Sequence, residues 1–486
     1  MYIGQLGLTI DGLPDDVLLA IFDFYVVRYQ DLGLHEAAFR MHHLKGLIQS
    51  WQSLVQVCRR WRGLVFSSPR RLNTHLCYDI GRSARNINTL DVWPAIPLLI
   101  HGDVHETSVD NVIAVFEHSD RIHRVDLRFD TTLKIEKLYT AMQVPFPELT
   151  IAILRPSLKV LHVPVLPDSF LGGSAPRLRY FSLISIPFPG LPNLLLSTTH
   201  LVRLDLYKIP HSGYISPDAM ATCLSMSASL ESLNLEFQSP RSSPDPENRP
   251  PPSPTRSVLP ALKVFWFRGT KEYLEDLVSR IDAPRLHQLF PTFFNDIDFN
   301  IPELNQFISR TPTLRGYDEA RLIFGIGNAL VSLQFHPKLS GRRRNVDVKI
   351  LCQVPDWQIS SLAQVCTMSS HLVLTTENLF IYEGSNPLPD WEDGIENTEW
   401  LDLLLPFVAV KNLYISKAFL SRIAPALREL TGGRTTEVLP ALENVLLEEF
   451  EPSEPVEEGI AQFISARQLT NRPVTISVWV RLADWK

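Results

Sequence analysis

Apolar residues recur along this chain in a pattern that predicts a series of similar strands. The unit has the form apolar-x-x-apolar-x-apolar, and its last two apolar positions lie on one face of an extended strand. Good copies begin at Ile122, Leu158, Leu178, Leu201, Leu230 and Leu262, with weaker copies at Leu286, Leu330, Val410 and Leu442. From Leu158 to Leu286 the copies start roughly 20 to 32 residues apart. Each strand is therefore followed by room for one further element.

The segments between these strands carry the three- and four-residue spacing of amphipathic helices. Ser108 is placed to cap a helix whose apolar face holds Val112, Val115 and Phe116. Further helices are predicted within residues 216–224, 272–281 and 416–430. Strand and helix alternating at this spacing resemble leucine-rich repeats, whose period is about 20–29 residues. An unrelated α/β domain with accidental matches to the pattern is the alternative.

Two short amphipathic segments precede the repeats. In the first, Pro14 suits the opening helical position, and Asp15 and Asp16 face the positive end of the helix dipole. The apolar positions of this segment form one predicted stripe of Leu13, Val17, Leu18, Ile21 and Phe22. The second predicted helix repeats the spacing at Leu54, Val57, Cys58, Trp61, Leu64 and Val65. Helices this short do not bury an apolar stripe alone, so they require a third helix, a partner, or both.

These two segments resemble the F-box, the helical module that docks a substrate receptor onto the small adaptor subunit of SCF-type cullin–RING ubiquitin ligases. The resemblance rests on Leu13-Pro14, on the run from Val17 to Phe22 and, most specifically, on Val57-Cys58-Arg59-x-Trp61-Arg62. Together with Trp51 and residues 91–97, it looks like the F-box proteins of mushroom-forming fungi. Residues 23–53 form a longer link between the two halves than is usual, and we expect an extra helix or a loop there.

The expected fold class is a small all-α F-box module followed by an α/β leucine-rich-repeat-like solenoid. A parallel sheet would line a concave face of this solenoid, with the helices outside. The expected domains are the F-box module at 1–75 with its insert at 23–53, a connecting segment at 76–120, and a degenerate repeat domain at 121–486. Residues 239–257 hold seven prolines. They are expected to form a disordered loop between two repeats, either a plain spacer or a phosphorylated segment.

The resemblance implies a substrate receptor without catalysis of its own. Its partners would be the SCF adaptor, the cullin through that adaptor, and an unknown target protein. The candidate adaptor-binding residues are Leu13, Pro14, Val17, Leu18, Ile21, Leu54, Val57, Cys58, Arg59, Trp61 and Leu64. Candidate target-binding residues alternate with the buried strand positions, and they are Arg203, Asp205, Tyr207, Asn234, Glu236 and Trp266. The alternative function is a repeat-based interaction scaffold that takes no part in ubiquitination.

Composition narrows the classes of partner. A net charge of −7 and a pI near 6.1 argue against general binding to nucleic acid or to anionic membranes. The five cysteines form no Cys-x-x-Cys pair, which favours a reducing, intracellular location in cytoplasm or nucleus. The N-terminus lacks the pattern of a signal peptide, and the apolar runs are too short to span a bilayer.

Few residues indicate a catalytic or metal-binding site. Asp103 and His105 after a predicted strand are typical of one metal-binding loop of metallophosphoesterases, but the further ligand motifs are missing. A polar turn is the alternative, and we expect no metal and no cofactor. Gly325-Ile326-Gly327 is interpreted as a turn, and Cys352 and Cys366 as buried thiols. The basic run 342–344 and the acidic clusters 390–400 and 448–458 are either solvated loops or a charged rim that selects targets.

Overall fold

The computed structural model describes fifteen segments of the chain, which are residues 10–26, 50–69, 71–72, 74–80, 96–130, 134–157, 163–188, 191–240, 255–294, 300–335, 344–352, 355–384, 396–430, 434–448 and 458–480. Two compact units divide the chain, Met1–Gly213 and Tyr214–Lys486. The expected insert, most of the proline-rich loop, and parts of the basic run and the acidic clusters lie outside the described residues.

The first unit begins with helices and continues as alternating strands and helices. Its described helices are α1 (Asp15–Tyr25), α2 (Trp51–Val57), α3 (Arg59–Ser67), α4 (Val109–Phe116), α5 (Ile135–Ala141) and α6 (Leu191–Ser197). Its described strands are β1 (Leu76–Asp79), β2 (Leu98–Val104), β3 (Ile122–Phe129), β4 (Ile151–Pro156), β5 (Tyr180–Ile184) and β6 (Arg203–Ile209).

Strands β1 to β6 pair in chain order, and every pair is parallel. Parallel neighbours need a crossover between them, and α4, α5 and α6 lie in three of these crossovers. Residues 76–120, expected only to connect two domains, therefore hold the first two strands of this sheet. The strand between β3 and β5 is Ile151–Pro156, whereas the copy predicted from Leu158 lies mostly outside the described residues.

The second unit continues the same alternation. Its described helices are α7 (Pro217–Ser225), α8 (Lys271–Ser279), α9 (Pro302–Arg310), α10 (Pro355–Met368), α11 (Ser370–Val373), α12 (Asn397–Leu404), α13 (Lys417–Arg428) and α14 (Glu458–Leu469). Its described strands are β7 (Ser232–Phe237), β8 (Ser257–Val258), β9 (Val264–Gly269), β10 (Ile281–Asp282), β11 (Gln288–Phe294), β12 (Glu319–Gly325), β13 (Asn328–Phe335), β14 (Arg344–Leu351), β15 (Asn378–Glu383), β16 (Asn412–Ile415), β17 (Asn444–Glu448) and β18 (Thr475–Trp479).

Strands β12, β13 and β14 form an antiparallel excursion within the second unit. The strand order is β7-β9-β11-β14-β13-β12-β15-β16-β17-β18, with β8 and β10 forming a separate parallel pair. Strand β13 runs antiparallel to both β12 and β14, while the other pairs of the order are parallel. The copy predicted from Leu330 is therefore wrong as a repeat strand, because β13 runs against the repeat direction. Gly325-Ile326-Gly327 is a turn, as expected, and it joins β12 to β13.

The same turn opens many of the repeats. In the copy Leu201-x-x-Leu204-x-Leu206 all three leucines are buried, and the N–H of Leu201 donates to the carbonyl of Thr198 at 3.3 Å. Equivalent bonds of 3.0–3.3 Å precede the strands at Leu149, Leu178, Leu230, Leu262, Leu286, Leu314 and Leu442. The leading leucine thus anchors the turn while the later two fill the core, which accounts for the sequence pattern.

The predicted helices are present with shifted ends. Helix α4 buries Val112, Val115 and Phe116 as expected. The hydroxyl of Ser108, however, bonds to the backbone of His105 at 2.9 and 3.0 Å rather than capping the helix. At α7 the hydroxyl of Ser216 accepts from the N–H of Ala219 at 3.2 Å, a true N-cap. The parallel sheets and helices confirm the α/β repeat part of the expected fold, while the F-box module and the concave face stay predictions.

Two polar devices tie neighbouring repeats of the second unit together. Asn378, Asn412 and Asn444 share one register position. The Nδ2 of each later asparagine donates to the Oδ1 of the one before, at 2.9 and 2.7 Å. On α14, buried Arg467 donates from Nη1 to the carbonyl of Thr435 at 3.0 Å and from Nη2 to that of Leu442 at 2.9 Å. In both cases, polar groups of one repeat form their hydrogen bonds with the neighbouring repeat.

Candidate partner-binding surfaces

Helix α1 carries apolar residues on two faces. Leu18 and Phe22 lie one turn apart, and both are fully buried. Val17, Ile21 and Phe24 follow the same spacing on another face and are 38%, 41% and 94% exposed. A helix that faces only its own core would carry polar residues on this second face. We call Val17, Ile21 and Phe24 the exposed stripe of α1.

The buried face of α1 packs on α3. The ring of Phe22 lies 4.7 Å from that of Trp61 at an interplanar angle of 57°, which is a favourable tilted arrangement. On α2, buried Trp51 donates from Nε1 to the carbonyl of His75 at 2.9 Å. This bond ties α2 to the residue just before β1. The exposed stripe is therefore presented by a helix whose other side is held.

Arg60 fixes the start of α1. Its Nε and Nη2 donate to Oδ1 of Asp15 at 3.0 and 2.6 Å, and Nη2 also donates to the carbonyl of Leu13 at 2.6 Å. Both side chains are well exposed, so the pair contributes at most about 1 kcal/mol. Its importance is geometric, because it positions the Leu13-Pro14 entry to the helix.

The second predicted helix is interrupted at Cys58, so the expectation of one helix from Leu54 to Val65 is wrong. Cys58 is extended, with φ −156° and ψ 171°. Its Sγ accepts from the N–H of Trp61 at 3.5 Å and so caps α3. Because the chain bends there, Val57 at the end of α2 is 59% exposed while Trp61 is buried.

Burial sorts the predicted adaptor-binding residues into three groups. Those on the surface are Pro14, Val17, Ile21, Val57 and Arg59. Those of intermediate burial are Leu13, Cys58 and Leu64. Those inside the core are Leu18, Leu54 and Trp61. The buried three maintain the shape of the module, and the exposed ones are available to a partner. Phe24 was missed by sequence reasoning, although it lies seven residues after Val17.

The predicted target-binding residues of β6 form an internal network. The carboxylate of Asp205 is buried and accepts from Nε of Arg203 at 2.6 Å and from the hydroxyl of Tyr180 at 2.9 Å. Burial, with Asp205 close by, raises the pKa of Tyr180. Tyr207 is half-buried. Oδ2 of Asp205 faces both of these internal donors, and Oδ1 is buried as well. Asp205 therefore stabilises the sheet rather than presenting a charge to a target.

The predicted residues of β7 and β9 lie on a more open face. Trp266 is 46% exposed, and its ring stacks on Phe290 of β11 at 3.7 Å and 16°. Glu236 accepts from Nη1 of Arg268 at 3.1 Å, and Asn234 is buried beside them. We call Trp266, Phe290, Arg268 and Lys349 the aromatic–cationic surface.

Three members of this surface were not predicted. Phe290 follows the buried Leu289 in β11 and therefore lies on the outward face of the strand. The alternation of buried and outward positions in a strand would have indicated it. Arg268 follows Trp266 by two residues on the same strand face. Lys349 lies on β14, inside the antiparallel excursion, where no repeat pattern predicts a strand.

The metal-site candidates have other contacts. Asp103 pairs with Arg128, and Nδ1 of His105 lies 3.2 Å from Oδ2 of Asp130. In the described part of the chain, no group of three or more His, Cys, Asp or Glu side chains is placed to hold a metal ion. Cys352 and Cys366 are buried as expected, and burial raises the pKa of the Cys366 thiol to about 12.

Of the basic run, Arg344 opens β14, and its guanidinium carbon lies 4.1 Å from the ring centroid of Phe335. The helices within the described segments are all too short or too polar to cross a membrane.

Comparisons with known proteins add little to this geometry. No family model matches the chain, and no curated protein matches it. Among solved structures it is similar to the leucine-rich repeat-containing protein LegL7 from Legionella pneumophila. That likeness has 11% sequence identity and a TM-score of 0.28, and it covers 82% of this chain and 99% of that chain. A TM-score this low carries no argument, so the repeat architecture rests on the strand register itself.

Proposed function

We propose that this chain is the substrate-recognition subunit of an SCF-type cullin–RING ubiquitin ligase. Helices α1 to α3 bind the adaptor subunit, which links them to the cullin, and the repeats bind a target protein. The exposed stripe of α1 carries this proposal. Three large apolar side chains on one helix face cost free energy in water, and an apolar partner surface removes that cost.

Such a subunit needs no catalytic group of its own. It holds a target lysine near the conjugating enzyme bound elsewhere on the ligase, and transfer is accelerated by the high local concentration. The held inner face of α1, with Phe22 against Trp61, supports this role because a preorganised helix loses little entropy on binding.

A second candidate function is a repeat-based interaction scaffold outside ubiquitination. The aromatic–cationic surface favours it, since that surface belongs to the second unit and does not depend on α1. The two candidates share target binding and differ only in whether the adaptor is bound.

Co-purification with a recombinant SCF adaptor subunit tests the first candidate. The variant Ile21→Asp with Phe24→Asp places charges on the exposed stripe without touching Phe22 or Trp61. Leu469→Asp is the matched control, because Leu469 ends a helix and is 90% exposed. We expect the wild type and the control to retain the adaptor and the double variant to lose it, with unchanged circular dichroism. A wild-type chain that does not retain the adaptor would overturn the proposal.

A further inference from the structure

Four parallel strands of the second unit place one row of polar residues side by side. Glu236 of β7, Arg268 of β9, Thr292 of β11 and Lys349 of β14 occupy matching register positions. Since adjacent strands lie about 4.8 Å apart, the Cα atoms of Arg268 and Lys349 are separated by about 10 Å. Thr292 stands between them, so the two cations flank a short side chain.

The two cations are unequally neutralised. Arg268 faces Glu236 at 3.1 Å, and its guanidinium also lies 5.5 Å from the ring centroid of Phe294. Lys349 forms no ion pair with any residue that the structure describes. Burial lowers its pKa, and Arg268 lowers it further. Asp347, the nearest acid along the same strand face, instead accepts from the hydroxyl of Ser332 at 2.6 Å and from Nδ2 of Asn345 at 3.3 Å. The row therefore holds two cations and one carboxylate, and a second negative charge would balance it.

An aromatic platform lies next to this row. Trp266 and Phe290 occupy matching positions on β9 and β11, two residues before Arg268 and Thr292. The stacked rings cover each other on one side and leave Trp266 46% exposed. Two residues along a strand span about 6.8 Å. Side chains at positions i and i+2 of an extended peptide have the same separation.

We propose that the aromatic–cationic surface binds an extended segment of a partner protein through two side chains, one acidic and one aromatic or large aliphatic, placed two residues apart. The carboxylate lies between Lys349 and Arg268, and the apolar side chain packs on Trp266. This inference rests on the proposed function only in taking the repeats as the target-binding region.

Charge favours a peptide over a nucleic acid. Glu236, Asp347 and Glu319 share this sheet face with the cations, and the chain as a whole carries −7. A polyanion would meet these carboxylates, whereas a single carboxylate needs only the local pair. The self-stacked platform also leaves one ring face for a ligand rather than a run of stacking sites.

Random-peptide phage display on the full chain, followed by fluorescence anisotropy of one selected peptide, tests the inference. We expect selected sequences to carry Asp or Glu two positions from an aromatic or large aliphatic residue. Trp266→Ala and Lys349→Glu should each lower the affinity for the selected peptide by at least about tenfold. The controls Trp357→Ala, at a helix tryptophan that is 40% exposed, and Lys417→Glu should change binding by less than about twofold.

Exchanging the charges of peptide and protein distinguishes a lost contact from a misfolded variant. The selected peptide with its acid replaced by lysine should bind Lys349→Glu more tightly than it binds the wild type. Absence of the motif, equal losses in the control variants, or preferential binding of labelled oligouridine would each overturn the inference. The assay contains no adaptor, so its outcome is separate from that of the adaptor experiment.

Discussion

Ile21 and Phe22 are neighbours in the chain with opposite expected roles. Phe22 is fully buried against Trp61, whereas Ile21 is 41% exposed on the other face of α1. Truncating a buried phenylalanine to alanine costs about 3–5 kcal/mol through lost transfer energy and the cavity left behind. Truncating an exposed isoleucine changes stability by about 0.5 kcal/mol or less.

Hydrogen exchange in α1 and α3 measures this difference directly. A loss of 3 kcal/mol corresponds to more than about a hundredfold lower protection. Phe22→Ala should therefore exchange its α1 and α3 amides at least about a hundredfold faster, while Ile21→Ala keeps wild-type protection. Adaptor binding should weaken in both, in the first because the module opens and in the second because a contact is lost.

The two variants also define what would refute this reasoning. Equal protection in Phe22→Ala and Ile21→Ala would mean that α1 does not pack on α3 through Phe22. Full adaptor binding by Ile21→Ala, together with intact protection, would mean that the exposed stripe is not the contact surface.

Three further predictions concern the second unit and are checked by urea unfolding of the full chain. Arg467→Met nearly keeps the side-chain volume but removes the donors to three backbone carbonyls, and should lower stability by about 2 kcal/mol. Asn412→Ala breaks the asparagine ladder in both directions and should cost about 1 kcal/mol. Burial raises the pKa of Asp347 above 3.8. The folded chain thus holds this proton more tightly, and stability falls as pH rises from 3.8 toward the raised pKa. Asp347→Asn should reduce that fall.

The repeat strands were predictable because one short pattern encodes both their turn and their core. Leu201, Leu204 and Leu206 each fill a separate buried position, and the same arrangement recurs in the copies that begin at Leu178, Leu230 and Leu262. The strand at Ile151–Pro156 does not stand out in the sequence because the middle apolar position of its copy, between Leu149 and Leu154, is Ala152, which carries a weak apolar signal. Residues 76–120 carry no repeat pattern, because β1 has four consecutive buried residues and no alternation.

The two candidate surfaces were harder to predict because they depend on contacts between elements distant in sequence. Apolar spacing alone placed Val17 and Leu18 in one stripe, and only the packing of α3 separates an exposed side chain from a buried one. Lys349 reaches the row of Arg268 through β14, whose order in the sheet reverses the order in the chain. The asparagine ladder was visible as Asn378, Asn412 and Asn444, each one residue before a buried strand position. These asparagines occupy the first position of their strands.

The exposed stripe of α1, proposed to bind the adaptor, and the aromatic–cationic surface, proposed to bind the target, belong to different compact units. Variants at sites that share no contacts have additive effects on free energy. Ile21→Asp with Phe24→Asp should therefore abolish adaptor retention and leave peptide affinity unchanged, and Lys349→Glu should do the reverse. The combined variant should show both losses at their single-variant size. A larger loss of either binding in the combined variant would mean that target binding and adaptor binding are coupled through the chain. The protein would then be a regulated receptor rather than a chain with two independent binding sites.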